Sequence, residues 1–319
     1  MSTVLVTGGA GYIGSIATSM LLDAGYNVSV LDDCSTGHVD SVDARARFTR
    51  GSILDHSALH HAMTNCDAVI HFGGKSLVGE SVQKPELYMQ VNIEGTTLLL
   101  DVMKESGVKK IVFSSSAAVY GEPPKVPIFE DSATVPTNPY GLSKLRVDQL
   151  LTLRSKVDGI GAISLRYFNV AGALQTSLGW LRERHNPETH LIPNVLNSTE
   201  QNPLKIFGTN WPTPDHTCVR DYVHVVDLVE AHMAALDALV LGKHEIINLG
   251  SGIGYSVRQV IDTAELVLGR TVPAVDVEAR AGDPAVLTAS ITKAKELLNW
   301  EPTRNLEKMI GDAYASHKS

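Results

Sequence analysis

A glycine-rich turn between a short strand and a helix is the feature that most constrains this chain of 319 residues. Residues 3–7, TVLVT, form a β-branched run that is typical of a buried strand. The turn GGAGYIG follows directly and leads into the helical pattern SIATSMLLDAG, which ends at Gly25. Strand, glycine turn and helix in this order predict a loop that binds a phosphate group at the helix N-terminus.

The three glycines of this turn have different tasks. Gly8 permits the tight turn, Gly11 lets the backbone approach a pyrophosphate, and Gly14 allows close packing of helix against strand. A second strand ends at Asp32 and Asp33, about 20 residues further on, where a carboxylate hydrogen-bonds a ribose diol. Because a carboxylate repels a 2′-phosphate, we predict NAD rather than NADP as the cofactor.

The alternation of strands and helices continues along the chain. Strands are predicted at residues 27–31, 47–50, 67–72, 110–114 and 162–167, and helices at residues 85–103 and 137–156. This succession predicts an α/β fold with a doubly wound, Rossmann-like parallel sheet.

Composition changes after Phe168, because residues 169–215 are rich in Pro, Asn, Gly and His and show little periodicity. Strands at 221–225 and 245–249 and helices at 226–241, 257–268, 291–298 and 306–315 are predicted beyond them. We predict an NAD-binding domain over residues 1–168 with a later contribution from about 221–249. A smaller α/β substrate-binding domain is predicted over 169–319.

Three polar side chains are the candidates for proton transfer. Tyr140 and Lys144 lie four residues apart in the helix predicted at 137–156, so both leave the same face. The spacing alone also fits an ordinary surface pair. An adjacent ammonium favours a phenolate, so we predict that Lys144 lowers the pKa of Tyr140 from about 10 toward neutrality. Ser116 follows the strand at 110–114, at the sheet edge where ligands bind.

Composition excludes several other classes of function. A net charge of −8 offers no basic surplus for general nucleic-acid binding. The three cysteines, Cys34, Cys66 and Cys218, show no disulfide or metal-site spacing and predict free thiols in the cytoplasm. No apolar run approaches about 18 residues, so no membrane span is expected. The twelve histidines show no metal-ligand spacing, and no metal is expected.

Eight motifs in order carry a resemblance to a known family: VTGGAGYIGS, HFGGKSLVGESVQKP, FSSSAAVYGEP, NPYGLSKL, LRYFNVAGA, THLIPNVL, IFGTNWPTPDHTCVRDYVHVVDL and NLGSGIGYSV. The chain resembles the UDP-glucose 4-epimerases of the extended short-chain dehydrogenase/reductase family. The resemblance implies that NAD stays bound and that no net redox change occurs. The family forms a 4-keto sugar that turns over before the hydride returns to its other face. Tyr140 matches the family's base, Lys144 its ribose ligand and Ser116 its sugar-binding hydroxyl.

The resemblance also implies the cofactor contacts. They are Gly8, Gly11, Tyr12, Ile13, Gly14, Asp32, Asp33, Cys34, Ser35, Thr36, Gly37, Phe72, Gly73, Gly74, Lys75, Ser76, Asn92, Ser116, Tyr140, Lys144, Tyr167 and Phe168. At the adenine the family usually has an Asp followed by Ile or Leu, whereas this chain has Ser52 and Ile53. Because a hydroxyl carries no charge, we expect a weaker polar contact to the adenine there.

For the nucleotide sugar, the resemblance implies contacts to Ser116, Tyr140, Asn169, His190, Leu191, Lys205, Phe207, Arg220, Tyr222, Arg280, Asp283 and Leu287. The two arginines, Arg220 and Arg280, offer planar forks for phosphates. Asp283 is expected to accept from the uridine ribose, and Phe207 to face the uracil. His190 stands where many relatives carry Asn.

Several related activities stay open at this point. Leu287 occupies the family's size-selecting position, so UDP-GlcNAc and UDP-GalNAc are alternatives beside UDP-glucose and UDP-galactose. UDP-glucuronate 4-epimerases are a further alternative. Dehydratases and decarboxylases carry acidic residues after the Ser or Thr, whereas this chain has Ala117 and Ala118. A non-catalytic NAD-binding sensor usually lacks the Tyr or the Lys. A homodimer through helices 85–103 and 137–156 is expected from the resemblance, although their apolar residues also fit a core.

Overall fold

The computed structural model describes residues 2–177, 179–280 and 283–318 of the chain. The strands are β1 Thr3–Thr7, β2 Asn27–Asp32, β3 Arg47–Arg50, β4 Ala68–His71, β5 Lys110–Ser116, β6 Gly161–Tyr167, β7 Asn169–Ala171, β8 Leu174–Thr176, β9 Gly179–Leu181, β10 Leu204–Phe207, β11 Val219–His224, β12 His244–Leu249, β13 Gly254–Ser256, β14 Ala274–Val277 and β15 Val286–Leu287. The helices are α1 Tyr12–Asp23, α2 His56–Met63, α3 Val78–Gln83, α4 Pro85–Tyr88, α5 Gly95–Glu105, α6 Pro139–Asp158, α7 Leu191–Leu196, α8 Val225–Ala238, α9 Val257–Leu268, α10 Thr292–Leu298 and α11 Leu306–His317. No described helix combines the length and apolar character that crossing a membrane requires.

Seven parallel strands form the central sheet in the order β3-β2-β1-β4-β5-β6-β12. The predicted doubly wound parallel sheet is confirmed. The strand order reverses between β1 and β4, and a crevice opens outside the carboxyl ends of the strands at such a reversal. The glycine turn after β1 and Ser116 at the end of β5 therefore lie at the same edge.

Both faces of the sheet are buried, which explains why its strands are nearly continuous apolar runs. Successive residues of β1 point to opposite faces, so Val4 and Val6 join one core cluster and Leu5 joins the other. The Val4 cluster includes Leu228 and Ala231 of α8, while the Leu5 cluster includes side chains from α2, α5 and α6.

The helix predicted over residues 85–103 is not uniformly α-helical. Helix α4 ends at Tyr88, a π-helical turn spans Met89–Glu94, and α5 begins at Gly95. Such wide turns insert a residue into the helix and often occur at functional sites. Asn92 lies in this turn, and its side chain is buried. A periodicity argument does not detect a single inserted residue, because the apolar face is kept on both sides of it.

The C-terminal residues form a second layer of smaller sheets. Strand β11 lies between β13 and β15, its last residues also pair with β7, and β10 pairs with β14. Residues of α7, α9 and α11 fill its core. The chain returns to the first layer for α8 and β12, since β12 pairs with β6 along its whole length.

Candidate functional site

A single cavity of about 1090 Å³ runs from the glycine loop to the C-terminal layer. The glycine loop and the ends of β2 and β4 line one end, and residues of β10 and β11 line the other. All the predicted cofactor and substrate residues line it except Cys34 and Asn92 among those described. Residues more than 250 positions apart in sequence, such as Gly8 and Arg280, therefore share one space.

The glycine loop is closed too tightly for side chains at two positions. Gly8 has a φ of +72°, and a Cβ there would lie 2.7 Å from the backbone nitrogen of Gly73. A Cβ on Gly14 would lie 2.1 Å from the carbonyl oxygen of Gly8. Gly11 is the N-cap of α1, whose first-turn residues Tyr12 and Ile13 line the cavity. The first N–H groups of a helix have no intrahelical acceptor, so this turn fits a pyrophosphate.

Asp32 holds the loop in shape as well as lining the cavity. Its carboxylate accepts from the backbone nitrogen of Ala10 at 2.9 Å and from that of Cys34 at 2.7 Å. Burial raises the pKa of Asp32, and these two N–H groups act against that rise. A carboxylate has further lone pairs to offer, so the predicted ribose contact is compatible with this geometry.

Cys34 and Asn92 support the cavity from behind its wall. Cys34 adopts a left-handed φ of 59° while its backbone nitrogen donates to Asp32. The Asn92 side chain accepts from the Lys75 nitrogen at 2.7 Å and donates to the Lys75 carbonyl at 3.0 Å. It also donates to Ser143 at 2.9 Å, which ties the strand-end loop to α6. Both residues thus shape the surroundings of the cavity, and their direct contacts to the cofactor stay a prediction.

Ser116 and Tyr140 meet in the middle of the cavity. Asn138 caps α6 by accepting from the Gly141 nitrogen at 2.9 Å, and Pro139 occupies the first helical position, so Tyr140 stands in the first turn. The Ser116 hydroxyl hydrogen-bonds the Tyr140 phenol. The ring of buried Tyr88 stands edge-on to that of Tyr140, with centroids 6.4 Å apart, which restricts the phenol's orientation.

Lys144 lies beneath the phenol and is almost fully buried. Its Nζ donates to the Ser114 carbonyl at 2.7 Å and lies 5.9 Å from the centroid of the Tyr140 ring. Burial lowers the pKa of Lys144 to about 8, and the charge of Asp148 acts in the opposite direction.

The prediction that Lys144 lowers the pKa of Tyr140 is wrong for the protein without a bound cofactor. Burial raises the pKa of Tyr140, and only the hydrogen bond from Ser116 acts against the rise. The helical spacing places both groups on one face as expected. However, the ammonium is directed to the Ser114 carbonyl rather than to the phenol oxygen. Desolvation of the phenol therefore outweighs the hydrogen bond from Ser116.

The far end of the cavity holds the predicted diphosphate and uridine residues. Arg220 donates to the Val219 carbonyl at 2.9 Å and to the Pro284 carbonyl at 2.8 Å, and lies 3.6 Å from the Asp283 carboxylate. The guanidinium carbon of Arg280 lies 3.8 Å from the centroid of the Phe207 ring. Arg280 therefore covers one face of Phe207, and uracil stacking on that face requires Arg280 to move.

Residues 183–190 form a charged strap in the cavity wall, of which sequence reasoning identified only His190 as a site residue. His185 hydrogen-bonds the Glu183 carboxylate, and His190 hydrogen-bonds Glu188 at 2.8 Å. The bond to Glu183 raises the pKa of His185. Burial acts to raise the pKa of Glu183, but the hydrogen bonds of His185 and the charges of His185 and His190 together hold it below its usual value. Glu183, His185 and His190 each bring one potential metal-ligand atom within 4.8 Å of the others. The repeated Glu-x-His spacing was the signal that could have revealed the strap.

Known proteins are similar to this chain over most of its length. The profile of the NAD dependent epimerase/dehydratase family matches residues 4–250. The UDP-glucose 4-epimerase of Corynebacterium glutamicum is 48% identical over 98% of this chain and 94% of its own length. That of Streptomyces lividans is 47% identical over 99% and 96%.

Solved structures of UDP-glucose 4-epimerases are also similar to this chain. The UDP-glucose 4-epimerase from Brucella ovis in complex with NAD superposes with a TM-score of 0.93 at 39% identity, covering 99% of this chain and 98% of its own. The enzyme from Bifidobacterium longum in complex with NAD+ and UDP gives a TM-score of 0.92 at 36% identity, with the same coverage.

Proposed function

Because the chain belongs to the NAD dependent epimerase/dehydratase family, we propose that it interconverts UDP-glucose and UDP-galactose by inverting C4. The single observation that carries the proposal is the placement of Ser116 and Tyr140. They stand midway along one cavity that has a phosphate-binding glycine loop at one end and arginines at the other. A sugar held by its diphosphate at the arginine end reaches both the phenol and the cofactor.

The residues at the glycine end fit NAD. The turn at Gly8 and Gly14 admits no side chain, and the helix that follows presents free N–H groups to a pyrophosphate. Asp32 and Asp33 favour a ribose diol over a 2′-phosphate. Ser52 lines the cavity, and its hydroxyl already accepts from the Leu54 nitrogen at 3.2 Å. We expect the adenine contact at Ser52 to be a single uncharged hydrogen bond.

The protein's own part of the reaction is proton transfer. NAD, when bound, supplies a reversible hydride acceptor with a positive charge on its oxidised ring. The Tyr140 phenolate takes the proton of the C4 hydroxyl, becomes a neutral phenol, and returns the proton once the keto sugar has presented its other face. Ser116 holds the sugar oxygen and the Tyr140 oxygen together. Because burial opposes the phenolate, the ammonium of Lys144 is needed to stabilise the negative charge that Tyr140 carries before it takes the proton.

Substrate breadth depends on Leu287 in β15. Its side chain joins a small apolar cluster with Phe168 and Ile291 at the cavity wall. Leucine is smaller than tyrosine, so we propose that UDP-GlcNAc and UDP-GalNAc are also accepted. Leu287→Tyr is then expected to suppress the N-acetylated substrates while UDP-galactose turnover persists. Equal loss of both activities would contradict the size argument.

The decisive assay incubates the protein separately with UDP-galactose, UDP-GalNAc and UDP-galacturonate, and identifies each product by NMR. Tyr140→Phe is expected to lower kcat by about 10²–10⁴, because it removes the group that carries the proton. Tyr26→Phe is the matched control, since that ring packs against the core away from the cavity. Undiminished turnover by Tyr140→Phe would refute the mechanism. Exclusive turnover of the uronate, or release of a freely exchanging cofactor without turnover, would assign a different function.

We also propose that the protein is a homodimer. A groove of about 540 Å³ between the 85–105 helices and α6 is lined mainly by aliphatic side chains. Its lining residues are Met89, Ile93, Thr97, Leu142, Arg146, Gln149, Leu150 and Leu153. Leu153 is 56% exposed there, and a second copy that covers the groove would bury it. Leu153→Glu is expected to yield monomers in sedimentation velocity, whereas Leu266→Glu, on exposed α9 surface, should not.

Two broader assignments belong to the same proposal. Residues 1–168 with about 221–249 form the NAD-binding part, and the rest of 169–319 binds the nucleotide sugar. The pairing of β12 with β6 supports the later contribution to the first part. A cytoplasmic location is supported by Cys34, Cys66 and Cys218, all of which are free thiols.

A further inference from the structure

Asp148 is a buried carboxylate directly behind the proton-transfer residues. It lies on α6 one helical turn after Lys144, and the two side chains leave the same face of the helix. Asp148 is 2% exposed and Lys144 is 4% exposed, so neither charge is screened by solvent. Asp148 does not line the cavity, so it is not part of the site described above.

Asp148 is fixed by side chains from two neighbouring strands. Its Oδ2 accepts from Arg166 Nε at 2.9 Å and from the Ser115 hydroxyl at 3.2 Å, and Arg166 Nη2 lies 2.9 Å away in an ion pair. Arg166 is itself held by the Tyr120 phenol at 3.0 Å. The second oxygen, Oδ1, has no hydrogen-bond partner in the described part of the chain. A buried oxygen left unpaired in this way is costly unless a nearby charge stabilises it.

The buried groups around Asp148 include more positive than negative side chains. Lys144 and Arg166 are two buried cations, and Asp148 is the buried carboxylate that pairs with Arg166 and acts by its charge on Lys144. The charge of Glu130 acts on Tyr120, and those of Glu245 and Lys293 act on His244. Four other titratable groups that face this region stay neutral near pH 7. They are Tyr140, Tyr120, His71 on β4, whose pKa burial and Lys144 lower to about 3, and His244 on β12, whose pKa burial lowers to about 4.

We propose that Asp148 is a positioning residue for proton transfer: clamped by Arg166 and Ser115, its carboxylate keeps Lys144 in the ammonium form beneath Tyr140. The proposal deepens the function proposed above and rests on it for the activity measurements alone. The Oδ1 atom of Asp148 lacks a hydrogen bond, and in this proposal the positive charge of Lys144 stabilises it instead of a donor. Arg166 fixes the carboxylate in place but, as a like charge, opposes protonation of Lys144.

Substitutions of Asp148 and of Arg166 are expected to shift the pKa of Lys144 in opposite directions. Asp148→Asn keeps the shape but removes the negative charge, so the pKa of Lys144 should fall by about one or more. Arg166→Gln removes the competing cation, so the same pKa should rise. Asp148→Glu restores the charge and should return the value toward that of the parent protein. Asp227→Asn is the matched control, because Asp227 is also buried and paired with an arginine, Arg304, but is not among the charges that act on Lys144.

The experiment measures Lys144 directly and through catalysis. The direct readout is the NMR titration of ¹³Cε-labelled lysine, with the Lys144 signal assigned from Lys144→Arg. The catalytic readout is kcat for UDP-galactose from pH 6 to 10, whose alkaline limb should move to lower pH by about one unit in Asp148→Asn. Thermal unfolding reports the loss of stability that any buried-charge variant shows.

The possible results separate the two proposals. A lower Lys144 titration in Asp148→Asn, a higher one in Arg166→Gln and an unchanged one in Asp227→Asn would support the inference, even if no UDP-sugar were turned over. An unchanged Lys144 titration in Asp148→Asn would overturn it, whatever the activity. If Asp148→Asn fails to fold, an unchanged titration in Arg166→Gln overturns it instead. Absence of turnover by the parent protein refutes the proposed function alone.

Discussion

Replacing Gly14 by alanine tests whether the glycine loop is shaped by close approach of backbone atoms. Gly14 lies in the first turn of α1, and an added Cβ would stand 2.1 Å from the Gly8 carbonyl oxygen and 2.8 Å from its carbon. A carbon and an oxygen in contact are normally about 3.3 Å apart, so the Gly8 carbonyl must move by about 1 Å. Gly8 cannot yield freely, because it has a positive φ and lies against Gly73.

The expected cost follows from two opposing effects. Alanine is a better helix former than glycine by about 1 kcal/mol, which favours the variant. Forcing an atom into a packed site costs about 1–3 kcal/mol, and the rigid backbone on both sides points to the upper end. The net loss is therefore about 2 kcal/mol, which corresponds to a Tm decrease of about 3 °C in a protein of this size. Displacing the loop should also remove the pyrophosphate contacts and hence bound NAD.

The assay compares Gly14→Ala with Gly311→Ala by thermal unfolding and by the NAD content of the purified proteins. Gly311 is also helical, but a Cβ there would meet no heavy atom of the described chain within 4 Å. We expect Gly311→Ala to be neutral or more stable by about 0.5–1 kcal/mol, with NAD retained. A Gly14→Ala protein with the parent Tm and full NAD content would show that the loop accommodates a side chain and that the steric reasoning is wrong.

Three further predictions concern other parts of the molecule. Ser256→Ala removes the capping box in which Ser256 and Gln259 bond each other's backbone nitrogens at 3.1 and 2.8 Å, and should lower the free energy of unfolding by about 1–2 kcal/mol in urea titrations. Leu99→Ala empties a fully buried core position and should cost about 2–5 kcal/mol, with an unchanged m-value. The pairing of His185 with Glu183 raises the histidine's pKa, so its stabilisation is complete below about pH 6.5 and is lost as pH rises through the raised pKa. The Tm difference between the parent protein and His185→Gln should therefore be largest near pH 5–6 and shrink above pH 7, and a difference that grows with pH would contradict it.

Local sequence patterns were sufficient for the fold class and for the glycine loop. The β-branched run at Thr3–Thr7, the glycines after it and the acids at the end of β2 lie within about 30 residues, the length of one βαβ unit. The doubly wound sheet and the family are confirmed, as is the family's dependence on NAD. The predicted helix over 137–156 proved to run from Pro139 to Asp158, a shift that leaves Tyr140 and Lys144 on one face.

Contacts between segments that are distant in sequence decided the surroundings of the buried site residues. Helical spacing places Lys144 beside Tyr140, but only the packing of α6 on β5 directs its ammonium to the Ser114 carbonyl and buries the phenol. The clamp on Asp148 likewise joins residues of α6 and two strands. Sequence by itself determined which elements form and which face each side chain leaves, because those depend on neighbours a few residues away. Tertiary structure decided which charges are buried together, because desolvation and ion pairing depend on what the whole chain brings within a few ångströms.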